Sequence, residues 1–487
     1  MNSLNRALET IPITKNHFRL PVLLILIQLF LIYAFIQGYI GKVLIVGFGL
    51  GLLFFTAFSV TRTFYLLVFY FLALPEKFYS YNFPGLPIYF VWYVGYPLFI
   101  MLLSYWLISL LRNQGRNEFN LGKFTSEKKS TSPTSLRTMD LLLIIFIIFF
   151  SLSGILGYLR GFNRMYCAYD FVGPSLYLGY FVYLNSVLRE KPKLLNDFAL
   201  FCAVLVGFEF IYALIRFGGF LVLRRIVSTH IHIAQMAIPY IGTTIIYSTS
   251  RFRKIFFAAL LPIVIIGVII SQQRALWGSV GLTLILLLMI LAYEKRHSLF
   301  KSLTRTIYWI VLIVIALGGL FILLQVLTKG KFLSTIIYRA LIFLSPKMLS
   351  LDISAIVRTS EIKNALGTVG NDFLFGRGLG DAFISRWRGT EQHTVDNSFA
   401  FLYWKTGFLG LFSFIALILY FLYRSISVLK KKLLKAERIY ALTALLNMTG
   451  LLVVAFTNVC IVQYHMIIAW AATFAVVELI ARKYETK

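Results

Sequence analysis

Acidic residues are scarce in this chain: 19 Asp and Glu among 487 residues, against 47 Lys and Arg, for a formal net charge of +28. Charge of either sign is in short supply too. Only 14% of residues are Asp, Glu, Lys or Arg, and 59% are hydrophobic, where a soluble domain carries about 25% charged and 45–50% apolar residues. So little charge excludes a soluble enzyme. It also excludes disorder, which follows from too little hydrophobicity rather than too much. Cysteine is nearly absent: Cys167, Cys202 and Cys460 are the full complement. Three are too few for a disulfide framework, and none stands in a Cys-x-x-Cys or Cys/His spacing that would suggest zinc. No metal or cofactor is expected.

What the chain has is apolar runs of membrane-spanning length, about 20 residues each. They fall near 20–38, 42–60, 63–75, 88–111, 140–159, 174–188, 196–216, 230–249, 255–271, 275–293, 306–327, 398–423, 439–458 and 464–481. The expected fold is an all-α integral membrane protein of about 14 transmembrane helices, or 12 if the short third and sixth runs fail. No small-residue cleavage site follows the first run, which reads as a retained anchor. The Ser/Thr/Lys-rich stretch 124–137 reads as a flexible cytoplasmic linker, and no internal repeat is evident.

The basic excess tests this parse. In a soluble protein it would suggest nucleic acid; in a membrane protein it sets orientation, because Lys and Arg accumulate in cytoplasmic loops. No nucleic-acid partner is expected. With the N-terminus inside, the inner segments hold 29 Lys and Arg, and both termini lie in the cytoplasm. Nine more are gathered between Lys329 and Asp396, the one long extracytoplasmic segment. Orientation does not explain a basic loop on the outer face, and long loops are commonly functional. An anionic ligand is expected there. Residues 331–344 have the spacing of an interfacial helix, 351–366 of a second helix, and GRGLG at 376–380 of a turn. The resulting organisation is 1–327 for helices 1–11, 328–396 for the loop and 397–487 for helices 12–14.

Ionisable groups at membrane depth are costly and point to function. Arg274, in SQQRALW, joins helices 9 and 10 at the outer surface, where it either binds a ligand or snorkels to the interface. Arg224 and Arg225 precede helix 8 on that side and suit either a substrate or lipid headgroups. His230 and His232 follow, two residues apart on different helix faces, a poor metal pair. Arg358 stands near Glu361 on one helix face, where an i,i+3 salt bridge is the simplest expectation. Arg377, Arg386 and Arg388 extend the same basic field, and guanidinium forks suit phosphate. His393 and Asp396, in EQHTVDNSFAFLYW, fall where the loop re-enters the membrane. Either could accept a proton from a sugar hydroxyl, while Asp or Asn there could equally cap a helix. Arginines able to hold a pyrophosphate leaving group, with a base beside them, are equipment for glycosyl transfer from a lipid pyrophosphate.

These segments resemble the O-antigen ligase and O-antigen polymerase superfamily of bacterial membrane glycosyltransferases. That family closes its late loop with His-Asn or a similar pair, then nine residues, then Gly-x-x-Gly opening a helix. Asp396-Asn397, SFAFLYWKT and Gly407-Phe408-Leu409-Gly410 repeat the spacing. FLFGRGLGDAF resembles the family's glycine turn, Arg358 its loop arginine, Gln273-Arg274-Ala275 its Ser-Arg-Gly, and Arg225 to Thr229, more loosely, its Arg-x-x-Gly-Thr. The likeness covers roughly 224–423. Asp396 stands where the ligases carry a histidine, which resembles the polymerases more; either Asp396 or His393 would be the base.

The resemblance implies a GT-C-type enzyme of the bacterial inner membrane, inverting and metal-independent, with its site on the extracytoplasmic face. Arg274 and Arg358 would act on the pyrophosphate, with Arg225, Arg224, Arg377 and Asn397 binding substrate. The implied partners are a polyprenyl-pyrophosphate-linked glycan donor, a glycan or lipid A core acceptor, membrane lipids and, where one exists, a chain-length regulator. A flippase for the same lipid-linked sugar is the rival reading, with Glu209 in helix 7 as a coupling carboxylate.

Overall fold

The computed structural model describes residues 137–182, 234–270, 273–294, 352–461 and 464–485, together with isolated positions at 204 and between 315 and 341. The first four apolar runs, Cys202, Glu209, Arg224, Arg225, His230 and His232 lie outside the described residues, as does most of 306–351. The described residues are mostly helical. In chain order the elements are α1 (Thr138–Leu159), α2 (Arg164–Ser175), α3 (Gly179–Val182), α4 (Ala234–Tyr247), α5 (Arg251–Ile270), α6 (Arg274–Glu294), α7 (Ile353–Gly367), a two-stranded hairpin of β1 (Phe383–Ile384) and β2 (Glu391–Gln392), α8 (Ser398–Leu429), α9 (Lys435–Ala455) and α10 (Tyr464–Glu485). Among the described residues, α1, α5, α6, α8 and α9 are long and apolar enough to cross a membrane. This is a membrane protein.

The helices begin where local chemistry supplies the missing partners of their first N–H groups. Asp140 accepts from the Arg137 N–H ahead of α1 (2.9 Å). The Asp352 carboxylate accepts from Ser354 N at the start of α7 (2.9 Å), and the Asn397 side-chain Oδ1 accepts from Ala400 N at the start of α8 (2.8 Å). Each satisfies a donor that the helix itself cannot. The sixth apolar run begins earlier than its hydropathy suggests. An α-helical stretch from Arg164 is followed by a 3-10 turn at Leu176–Leu178 and then α3.

In lipid, apolar burial does not discriminate helix from helix, so packing and polar ties do. Phe146 of α1 meets Tyr177 (5.4 Å between ring centroids) and Phe414 of α8 (5.2 Å); Phe414 meets Trp470 of α10 (5.7 Å). Ile148, Leu152, Ile155, Phe412 and Leu419 face outward. At one end of the bundle, ions join three helices. Arg482 pairs with Asp140 (2.6 Å) and Glu478 (2.8 Å), Arg424 with Glu478 (3.2 Å), and Glu485 with both Arg424 and Arg137. α1 runs from that end to the opposite one, where the loop 352–397 gathers.

The loop is seated by a break in a helix. Inside α8, Gly407 takes φ 65° and ψ −164°, which would strand backbone groups in a membrane helix. The turn 373–379 receives them. Arg377 N donates to Trp404 O (2.8 Å) and Gly378 N to Lys405 O (3.0 Å), while Phe408 N and Leu409 N donate to Phe373 O (2.8 Å) and Leu374 O (3.2 Å). Non-helical backbone at this depth is tolerated when protein satisfies it. Leu379 N reaches Ser153 O of α1 (3.0 Å), and a Cβ on Gly157 would overlap the Leu379 backbone. The turn is thus wedged between α1 and the broken α8. Two helical segments thus meet at the kink: Ser398 opens the first, at the start of the apolar run 398–423, and Gly407-Phe408-Leu409-Gly410 stands at the opening of the second, where the resemblance puts it.

Candidate functional site

At this loop end the sequence candidates fall into two contact groups. The first is built on α7. Its cap, Asp352, pairs with Arg274, the first residue of α6, and Arg274 Nη2 also donates to Ser354 Oγ (3.0 Å). Arg274 Nη1 is buried and has no hydrogen-bond partner among the described residues. Two turns along α7, Arg358 Nε pairs with Asp396 Oδ2 (2.9 Å). The expected Arg358–Glu361 bridge is therefore replaced. Glu361 is buried and taken by Arg388 (2.8 Å) and by Ser385 Oγ (2.7 Å). A half-exposed Arg358 gains more from a carboxylate that the fold has already placed across from it than from a neighbour committed elsewhere. Arg388 also approaches Asp396 (3.9 Å), and Arg386 is exposed.

The second group centres on His393. Its Nδ1 lies 3.1 Å from Asp170 Oδ1, the ring of Tyr166 stacks on it at 4.5 Å and 12°, and Tyr169 stands at 6.0 Å. Asp170 Oδ2 in turn accepts from Gly380 N (2.9 Å) and pairs with Lys405 Nζ (2.9 Å). Burial opposes a charge on Asp170; Lys405 and then His393 outweigh it, holding its carboxyl below the usual range. A carboxylate on one imidazole nitrogen fixes the ring and leaves the other nitrogen to act, as in hydrolase triads. His393 and Asp396 are three residues apart, so the two groups meet in one short stretch.

Neither Asp170 nor Lys405 was singled out from the sequence. A lysine within an apolar run was a usable signal; Asp170, 223 residues from His393, carried none. Asn397 spends its amide on structure: besides capping α8, its Nδ2 donates to Phe456 O (2.9 Å). Arg377 pairs with Asp372 (3.1 Å) and Asp381 (3.5 Å) and lies over the Phe162 ring (5.7 Å). Arg160 joins them, bonding both oxygens of Asp372 (2.7 and 3.1 Å) and the Arg377 carbonyl (2.8 Å). This pins the glycine turn to the end of α1.

Two carboxylates here bind protons less readily folded than unfolded. Slight burial raises Asp372, but Arg160 and Arg377 pull it below its ordinary value. For Asp352 burial also opposes the charge, and Ser354 and then Arg274 overcome it. Their stabilisation is complete above the unfolded value, about pH 4, and is lost as pH falls through the lower folded value. Both are partly exposed, so the effect is modest. The melting temperature in detergent should hold from pH 7 to about pH 5 and fall below about pH 4. In Asp372→Asn the neutral plateau should drop and the acid fall should shrink; an acid limb identical to wild type would refute the assignment.

No family model matches the chain, and no curated protein matches it.

Proposed function

We propose that the chain is a membrane glycosyltransferase that polymerises lipid-linked glycan. It transfers the glycan of one polyprenyl-pyrophosphate carrier to the terminal sugar of another, on the extracytoplasmic face of a bacterial inner membrane. The observation that carries the reading is the adjacency of a carboxylate-held histidine, His393, to Asp396 and its arginine, Arg358, on the helix whose cap holds Arg274. In this reading the acceptor hydroxyl attacks the anomeric carbon. The bond from that carbon to the pyrophosphate oxygen breaks, configuration inverts, and the hydroxyl proton passes to His393. Arg274 and Arg358 receive the charge that grows on the leaving pyrophosphate. Asp396 holds Arg358 in place and is the alternative base.

A second reading, ligase, is favoured by one observation: His393 with Asp170 supplies a histidine base close to the position where the sequence carries aspartate. The acceptor would then be lipid A core or protein.

The test is the purified full-length protein in lipid, given only polyprenyl-pyrophosphate-linked repeat units. A ladder of products is expected. Arg358→Ala should reduce it about 10²–10³-fold, as loss of a charge-stabilising donor does, and His393→Ala about 10²–10⁴-fold. Transfer only after lipid A core is added would make the protein a ligase. Wild-type yields in both variants would remove glycosyl transfer at this site.

A further inference from the structure

Lys405 lies two residues before the break in α8 with its side chain wholly buried. Its ammonium donates to Asp381 O and Asp170 Oδ2 and sits 4.0 Å from the Trp404 ring centroid. Asp170 is equally enclosed, at 1% side-chain exposure, while His393 is 27% exposed. A ligand can therefore reach the histidine and not the two groups behind it. Whatever Lys405 and Asp170 contribute to chemistry passes through His393.

We propose that Lys405 and Asp170 are a positioning pair for His393. Lys405 and the Gly380 N–H occupy Asp170 Oδ2, which leaves Oδ1 to accept Nδ1–H and presents Nε2 of His393 as the proton acceptor. The role rests on the reading of His393 as a base, and the geometry behind it is local. A neutral imidazole carries one N–H, and the partner of one nitrogen decides which. A carboxylate can only accept, so Nδ1 keeps the hydrogen. The Tyr166 ring, stacked on the imidazole and itself donating to Glu391 Oε2 (3.3 Å), holds the plane.

The same geometry says what asparagine would do at position 170. Gly380 N–H and Lys405 both demand an acceptor at the Oδ2 position, so the amide oxygen must sit there and its NH₂ must face His393. Nδ1 would then accept, and the hydrogen would move to Nε2, the atom that is needed bare. The tautomer inverts with almost no change of shape.

The experiment is nitrogen-15 NMR of the full-length protein in lipid nanodiscs with labelled histidine. The chain has six histidines, and His393→Gln assigns the signal. Wild type should show Nδ1 protonated and Nε2 bare, Asp170→Glu should keep that pattern, and Asp170→Asn should reverse it. Because Asp170→Asn leaves the lysine charge uncompensated, the Asp170→Asn/Lys405→Met double variant gives a charge-balanced interior and should show the same reversal.

A wild-type signal with Nε2 protonated, or the wild-type tautomer retained in both asparagine variants, overturns the proposal. In the ladder assay Asp170→Asn should lose about 10²–10⁴-fold in kcat with KM little changed. If the tautomers behave as stated and no ladder forms with any acceptor, the pairing holds and glycosyl transfer fails. A ladder with the wrong wild-type tautomer does the opposite.

Discussion

Gly407→Ala should lower the stability of the protein by at least about 3 kcal/mol. Its φ of 65° and ψ of −164° lie in a region that is essentially glycine's alone, and strain there is about 1–3 kcal/mol. Sterics add to it, because a Cβ on Gly407 would overlap Leu374 O and Gly376 N. Those atoms belong to the turn that receives the backbone groups freed by the break, so the turn cannot withdraw without leaving Trp404 O unpaired and Lys405 O with the Ser153 hydroxyl alone. A buried carbonyl left unpaired costs about 1–3 kcal/mol. Gly161→Ala is the control. It too has positive φ, 75°, but a Cβ there meets nothing within 4 Å, so only the left-handed strain of about 1–2 kcal/mol applies. Denaturant titration of the detergent-solubilised variants measures both. Equal losses at the two positions would mean that the turn does not brace α8.

Lys405→Met is expected to be as damaging by a different route. It removes one partner of a fully enclosed ion pair, and breaking such a pair costs about 3–5 kcal/mol because a buried charge is left behind. Gly380 N–H (2.9 Å) and His393 (3.1 Å) remain as partners of the carboxylate, so the loss should fall in the lower half of that range. Removing Asp170 as well should restore much of the stability, since replacing both partners by groups of similar volume is often neutral. A double-mutant cycle over Asp170→Asn and Lys405→Met should therefore give a coupling of at least about 1 kcal/mol. Strict additivity would show that the two groups do not sense each other.

These two sites mark where reading along the chain stops. The apolar runs at 140–159, 255–271, 275–293, 398–423 and 439–458 return as α1, α5, α6, α8 and α9, because a lipid-facing helix must be apolar along its whole length and composition alone reports that. Asp352 ahead of 353–367 and Asn397 ahead of 398 act through neighbours two or three residues away, and capping is correspondingly legible. The GRGLG turn was legible as a turn. That it fills a broken helix was not, since the break is defined by bonds from 373–379 to 404–409. Arg358 likewise pairs with Asp396, 38 residues on, and not with Glu361 on its own helix.

Charge was the least transparent property. Arg358, Arg377 and Arg388 form one basic field in the sequence, yet in space they are divided among Asp396, Asp372, Asp381 and Glu361. With 19 acidic residues in 487, most arginines read as unpaired until the fold brings the acids in. Membrane residence, the helical class, the helix caps and the concentration of arginine in one loop are local or additive properties, and the amino-acid sequence carries them outright. The break at Gly407, the alignment of Lys405, Asp170 and His393, and the carboxylate that each arginine takes depend on segments tens to hundreds of residues apart. Ion pairs and strained backbone are stable only where the surrounding protein excludes water and supplies the missing partners, and that enclosure exists only once the chain has folded.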